Sequence, residues 1–202
     1  MKILLIADGR SPITRRWIES MREVNIDVYL ASTYPCVRPE NISGFYLIPV
    51  AFSNFSRRGG SAASGSASAR SDRKKGLIAR FRGLFLRLRY ILGPLTLFFY
   101  GFKLNRVANH IRPDAVHALR IPFEGMLAAQ LQKKYPLAVS IWGNDLTLHA
   151  KGSWLMGEVT RQTLIRADAL AADAARDIRL GKNGASLPRN RRWSFPETAG
   201  YR

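Results

Sequence analysis

Short apolar runs of strand length alternate along this chain with segments whose apolar residues recur at helical spacing, and that alternation restricts the fold more than any other feature. Lys2 to Ala7 (K-I-L-L-I-A) is apolar without a polar face, as a strand covered on both sides must be. Ser11 and Pro12 then supply an N-cap and a proline at the first helical position, and Ile13, Trp17, Ile18 and Met21 carry the helical period to about Val24. Asp27 to Ser32 is a second strand, Phe45 to Val50 a third, Asp114 to Leu119 a fourth, Leu137 to Trp142 a fifth and Ala169 to Ala172 a short sixth. Helices are predicted over Phe123 to Lys134, about Leu155 to Arg166, and from an Asp173 cap to about Leu180. Repeated strand–helix units imply an α/β fold, an open parallel sheet with helices on both faces.

The 202 residues suit one domain, and the single cysteine, Cys36, rules out an internal disulfide. The net charge of +18 is concentrated: Arg57 to Arg106 holds 12 Lys/Arg against one acid, Asp72, and Lys182 to Arg202 holds five against Glu197. The remainder is nearly balanced. The basic stretch opens with a flexible linker, 54–75, whose Gly59 to Ser68 core is low in complexity. A basic amphipathic helical insertion is expected over 76–111, with Leu77 to Leu92 its most amphipathic part and a second helix from about Leu95 to Ile111. The longest uncharged apolar run, Tyr90 to Phe102, has 13 residues, whereas a bilayer-spanning helix needs about 20.

In open parallel sheets ligands bind beyond the carboxyl ends of strands. That rule selects Asp8-Gly9-Arg10, Arg120 to Gly125, and Gly143-Asn144-Asp145. Gly9 permits close backbone approach, and the helix start behind it presents free N–H groups with Arg10 beside them. The bland alternative is a tight strand-to-helix turn. Trp142 offers a flat face for a sugar, and Asn144 and Asp145 fixed polar groups; an Asx-type turn is the plainer account of the same residues. His117 and His149 show no metal-ligand spacing, Glu124, Glu158 and Asp168 show no glycosidase-like pairing, and the G-x-G-x-x-G and G-x-S-x-G motifs are missing.

The residues M-K-I-L-L-I-A-D-G-R-S-P-I-T-R-R-W-I, V-H-A-L-R-I-P-F-E-G-M-L-A-A, V-S-I-W-G-N-D-L-T-L-H-A and T-R-Q-T-L-I-R-A-D-A-L-A-A-D-A-A-R-D-I-R-L, in that order, resemble the N-terminal domain of group 1 (family 4) glycosyltransferases. The resemblance implies a Rossmann-like domain over 1–181, the N-terminal, acceptor-side half of a GT-B fold. In that family a second domain holds the nucleotide-sugar, and hexosyl transfer retains anomeric configuration, usually without a metal. It implies Gly9, Arg10, Arg120, Glu124, Gly143 and Asn144 as substrate-binding candidates, and Asp145 and His117 as catalytic candidates. Two departures bear on these roles. The first loop lacks the family's paired glycines, and His117-Ala118-Leu119-Arg120 stands where many members carry two histidines.

No donor domain with its Glu-x7-Glu pattern follows Gly181, so the chain is expected to be inactive by itself. Residues 182–202 read as an irregular tail. Permitted codons for Lys182 to Gly200, read one nucleotide earlier, can encode a glycine-loop continuation, which points to a frameshift. No cofactor is expected beyond the nucleotide-sugar of the complete enzyme. The expected partners are an acceptor saccharide or lipid-linked acceptor, an anionic membrane surface and the missing donor domain, with the chain cytoplasmic and peripheral on the inner membrane face, in polysaccharide biosynthesis. The alternatives are a non-catalytic partner or regulatory module and a basic nucleic-acid-binding protein; no nucleic-acid module is recognisable.

Overall fold

A computed structural model describes residues 1–50, 93 and 96–185; the linker 54–75, the predicted helix Leu77 to Leu92 and residues 186–202 lie outside that range. In chain order the elements are β1 (Lys2–Ala7), α1 (Pro12–Glu23), β2 (Asp27–Ser32), β3 (Gly44–Leu47), α2 (helical over 96–111) and β4 (Ala115–Ala118). A wide irregular turn (Ile121–Gly125) then runs into the short α3 (Met126–Ala128). After it come β5 (Leu137–Ile141), a second wide turn (Asp145–His149), α4 (Trp154–Arg166), β6 (Ala169–Ala172) and α5 (Ala175–Ala185).

All six strands are parallel, in the order β3-β2-β1-β4-β5-β6. This is the doubly wound Rossmann-like arrangement, and strand order reverses between β1 and β4. The uninterrupted apolarity of β1 has the predicted cause. Leu4 and Ile6 pack into one core, Leu5 and Ala7 into another, and all four are buried. The smaller core lies under Ile18 and Trp17 of α1; the larger gathers residues from α2, α3, α4 and α5. Each fully buried leucine or isoleucine stabilises the fold by about 1.5–3 kcal/mol.

The helix starts follow their caps. Ser11 is extended, and its side chain accepts from the Ile13 amide with Pro12 next in line; Ser153 accepts from the Met156 amide at the head of α4. Three predicted elements differ from the structure by more than a residue. The third strand runs over Gly44–Leu47, stopping short of Pro49, which has no amide to give to a ladder. The helix predicted from Phe123 to Lys134 is mostly absent: Pro122 is extended at ψ 120°, Phe123 is left-handed at φ 65°, and regular α-helix covers only Met126–Ala128. The apolar period there reflects burial, since every residue from Ile121 to Ala128 is buried. Finally, α5 continues to Ala185, past the point where an irregular tail was expected.

Candidate functional site

At the reversal of strand order, the exits of β1, β2, β4 and β5 surround a cleft of ≈ 390 Å³. Two of the loops that line it are joined by Ser32, buried at the end of β2. The Ser32 hydroxyl accepts from the Gly9 amide (3.1 Å) and donates to the Tyr34 carbonyl (2.6 Å), joining the first loop to the second. Gly9 must be small here, because a Cβ would lie 2.5 Å from Cys36 Sγ and 2.9 Å from Ser32 Oγ. Gly9 therefore serves close packing beneath the loop. Arg10 stands in the cleft wall, its guanidinium paired with Asp8 at 2.9 Å and lying 3.9 Å from the centre of the Tyr34 ring.

The opposite wall comes from the exits of β4 and β5, and Asp145 ties them together. Its carboxylate is wholly buried. Oδ1 accepts from Arg120 Nη2 at 3.0 Å, and Oδ2 accepts from the Ile121 and Trp142 amides, both at 3.1 Å. Its own amide donates to the Trp142 carbonyl, closing the turn. A carboxylate so engaged organises the two loops, and both residues it anchors, Arg120 and Trp142, line the cleft.

Glu124 also lines the cleft and is buried. The Thr33 hydroxyl donates to its Oε1 at 3.2 Å, whereas Oε2 has no partner. Burial pushes this carboxyl up to about 8; nearby Arg120 and the Thr33 hydrogen bond pull it down, and Asp8 and Asp145 push it up. Glu124 is thus a neutral acid near pH 7.

His117 is placed differently. It lies inside β4, facing α1, with its Nε2 2.9 Å from Ser140 Oγ and its ring edge-on to Trp17 at 4.6 Å between centroids. Burial pushes it down to about 4, so it is neutral near pH 7. It is not among the residues lining the cleft. Gly143 and Asn144 are exposed, and the Gly143 carbonyl accepts from Arg176 Nη2 of α5 at 3.3 Å. Of the candidates from sequence, then, Arg10, Arg120 and Glu124 meet in the cleft, with Gly9 and Asp145 beneath it. Thr33 and Tyr34 were missed; extending the strand-exit rule to β2 finds them. Among the described residues no three His, Cys, Asp or Glu converge as a metal-binding group, and no helix is long and apolar enough to cross a membrane.

The glycosyl transferase 4-like family matches residues 2–174, from the first residue of β1 to just past β6. The chain belongs to that family. A search of curated proteins gives no match. Membership of the glycosyl transferase 4-like family, with a parallel six-stranded sheet, makes this a Rossmann-like N-terminal glycosyltransferase module of GT-B type. In this glycosyl transferase 4-like domain the cleft sits where the sheet topology favours ligand binding.

Proposed function

We propose that the cleft at the β1–β4 reversal is the acceptor side of a retaining, metal-free transfer of a sugar from a nucleotide-sugar to a saccharide or lipid-linked acceptor. The reaction needs a facing domain that holds the donor, and the described domain does not catalyse it by itself. The observation that carries this reading is the cleft wall. Two arginines, the two acids Asp8 and Glu124, the Ser11 and Thr33 hydroxyls and the rings of Tyr34, Phe123 and Trp142 line one switch point, the mixture a polyhydroxylated ring needs. Arg10, Arg120 and Glu124 contact substrate, Gly9 and Asp145 hold the loops that carry them, and His117 supports the β4 exit from within the sheet.

The test is a transfer assay with radiolabelled nucleotide-sugars. The chain alone is expected to be silent, and mixtures with a separately expressed donor domain active. Turnover by the chain alone overturns the proposal.

The acceptor is membrane-borne in this reading. On α2, Phe98, Phe99 and Phe102 are 63%, 75% and 66% exposed, Phe98 packs edge to face on each of the other two, and Lys103 follows them. Exposed aromatic groups beside basic residues favour an anionic lipid interface. Sedimentation with anionic and neutral vesicles tests this: preferential binding to the anionic vesicles is expected, and equal binding to both, or none, refutes it.

A further inference from the structure

Two residues that line the cleft each carry a buried polar atom without a partner: Arg120 Nε and Glu124 Oε2. Folded proteins retain few such atoms, and each one calls for an explanation. Both side chains are otherwise committed, Arg120 through Nη2 to Asp145 (3.0 Å) and Glu124 through Oε1 to the Thr33 hydroxyl (3.2 Å). Each therefore keeps a buried directional group in hand. The turn that carries them is costly to form, since Phe123, the residue before Glu124, is held left-handed at φ 65°. Backbone strain of that kind collects at ligand sites.

We propose that Arg120 Nε and Glu124 Oε2 together grip two adjacent hydroxyl groups of an uncharged sugar ring, and so determine which acceptor the cleft accepts. The proposal rests on the acceptor-side reading above and names its chemistry. Arg120 Nε can only donate, so it takes a hydroxyl oxygen as acceptor. The carboxyl of Glu124 exchanges a hydrogen bond with the neighbouring hydroxyl, and its terminal torsion is soft enough to present Oε2 to it. An anionic ligand fits less well. Asp8 neutralises Arg10 and Asp145 neutralises Arg120, so the wall offers no spare positive charge. The charged groups facing Glu124 are Arg120 from the β4 exit, Asp8 from the β1 exit and Asp145 from the β5 exit, with the Thr33 hydroxyl from the β2 exit. Burial holds the carboxyl neutral up to a pH of about 8, which keeps an uncompensated negative charge out of the site. Trp142 and Tyr34, lining the same cleft, supply faces for the C–H side of a ring.

The experiment is saturation-transfer NMR on the full chain with methyl glycosides of glucose, galactose and mannose, their monodeoxy analogues, and glucose 1-phosphate. At least one neutral glycoside should bind, and removing one hydroxyl of the gripped pair should weaken it about tenfold or more, because the protein groups are left unpaired. Glu124→Ala and Arg120→Lys should weaken the parent glycoside to a similar extent. Glu124→Gln, which keeps a polar atom at that place, should weaken it about threefold at most. The deoxy comparison is read on the wild-type chain, so it stands even if a variant fails to fold. Binding that ignores the deoxy changes and both substitutions overturns the grip and leaves the acceptor-side reading intact. Binding of glucose 1-phosphate alone overturns the claim of an uncharged ligand. No binding by any of the glycosides overturns the grip and the acceptor-side reading together.

Discussion

Replacing Asp145 by alanine tests whether one buried carboxylate holds the cleft together. The substitution removes the acceptor of three hydrogen bonds, from Arg120 Nη2 and from the Ile121 and Trp142 amides, at 3.0, 3.1 and 3.1 Å. Breaking a buried ion pair costs about 3–5 kcal/mol, and each buried amide left without an acceptor about 1–3 kcal/mol. These figures overlap. Arg120 is 38% exposed at its side chain and recovers part of its solvation, so the expected loss is at the lower end, about 3–4 kcal/mol. For a domain of this size that lowers Tm by roughly 6–16 °C. Urea unfolding followed by tryptophan fluorescence reads it directly. The midpoint should fall with the slope unchanged, because the surface exposed on unfolding is the same. Asp145→Asn keeps an acceptor for the amides and loses the ion pair, so it should fall between wild type and Asp145→Ala. Adding Arg120→Ala to Asp145→Ala should cost much less than the two single changes summed, since the first removal already breaks the pair. An Asp145→Ala protein within about 1 kcal/mol of wild type would refute the tie, because no buried, triply bonded carboxylate is lost so cheaply.

Other outcomes follow from the same geometry. Glu124 is protonated in the folded chain up to about pH 8 but only to about 4.5 when unfolded, so wild-type stability should decline as pH rises between those values and then level off. Glu124→Gln should lack that slope and be more stable at pH 7 by about 3 kcal/mol, measured by urea unfolding across the pH range. His117 has the opposite sense. With its folded value near 4 against an ordinary 6.5, stability should be lost as pH falls from about 6.5 toward 4, and its ring signals in NMR should remain those of neutral imidazole at pH 5.5. Gly9→Ala should cost about 1–3 kcal/mol through overpacking against Cys36 and Ser32, and Cys36→Ala should recover much of it in thermal melts of the double variant.

Where local chemistry decides the structure, the sequence is informative. β1, β2 and β6 occupy the residues their apolar runs mark out, and Ser11-Pro12 starts α1 as capping rules require. The stretch from Phe123 to Lys134 misleads for a definite reason. A segment buried on all sides is apolar whether it coils regularly or not, and the left-handed turn at Phe123 is a tertiary outcome that periodicity does not encode. The site divides in the same way. Arg10, Arg120 and Glu124 follow strand exits and are legible, because the exit rule needs only the order of elements along the chain. The direction in which Asp145 points is not legible, since one of the amides it binds is that of Ile121, 24 residues away. Thr33 and Tyr34 follow the exit of β2 and are within reach of the same rule; what the chain order leaves out is that β2 lies beside β1, which brings that exit to the same cleft.

The Ser32 hydroxyl has a consequence for the cleft wall. One short side chain sets the spacing between two strand exits, through the backbone of Gly9 and of Tyr34. Because its grip is on main-chain atoms, the spacing it sets does not depend on which side chain stands at Tyr34. A change at Tyr34 can therefore reshape the cleft wall without moving the two strand exits apart, with a serine as the hinge pin that spares the rest of the molecule from adjustment.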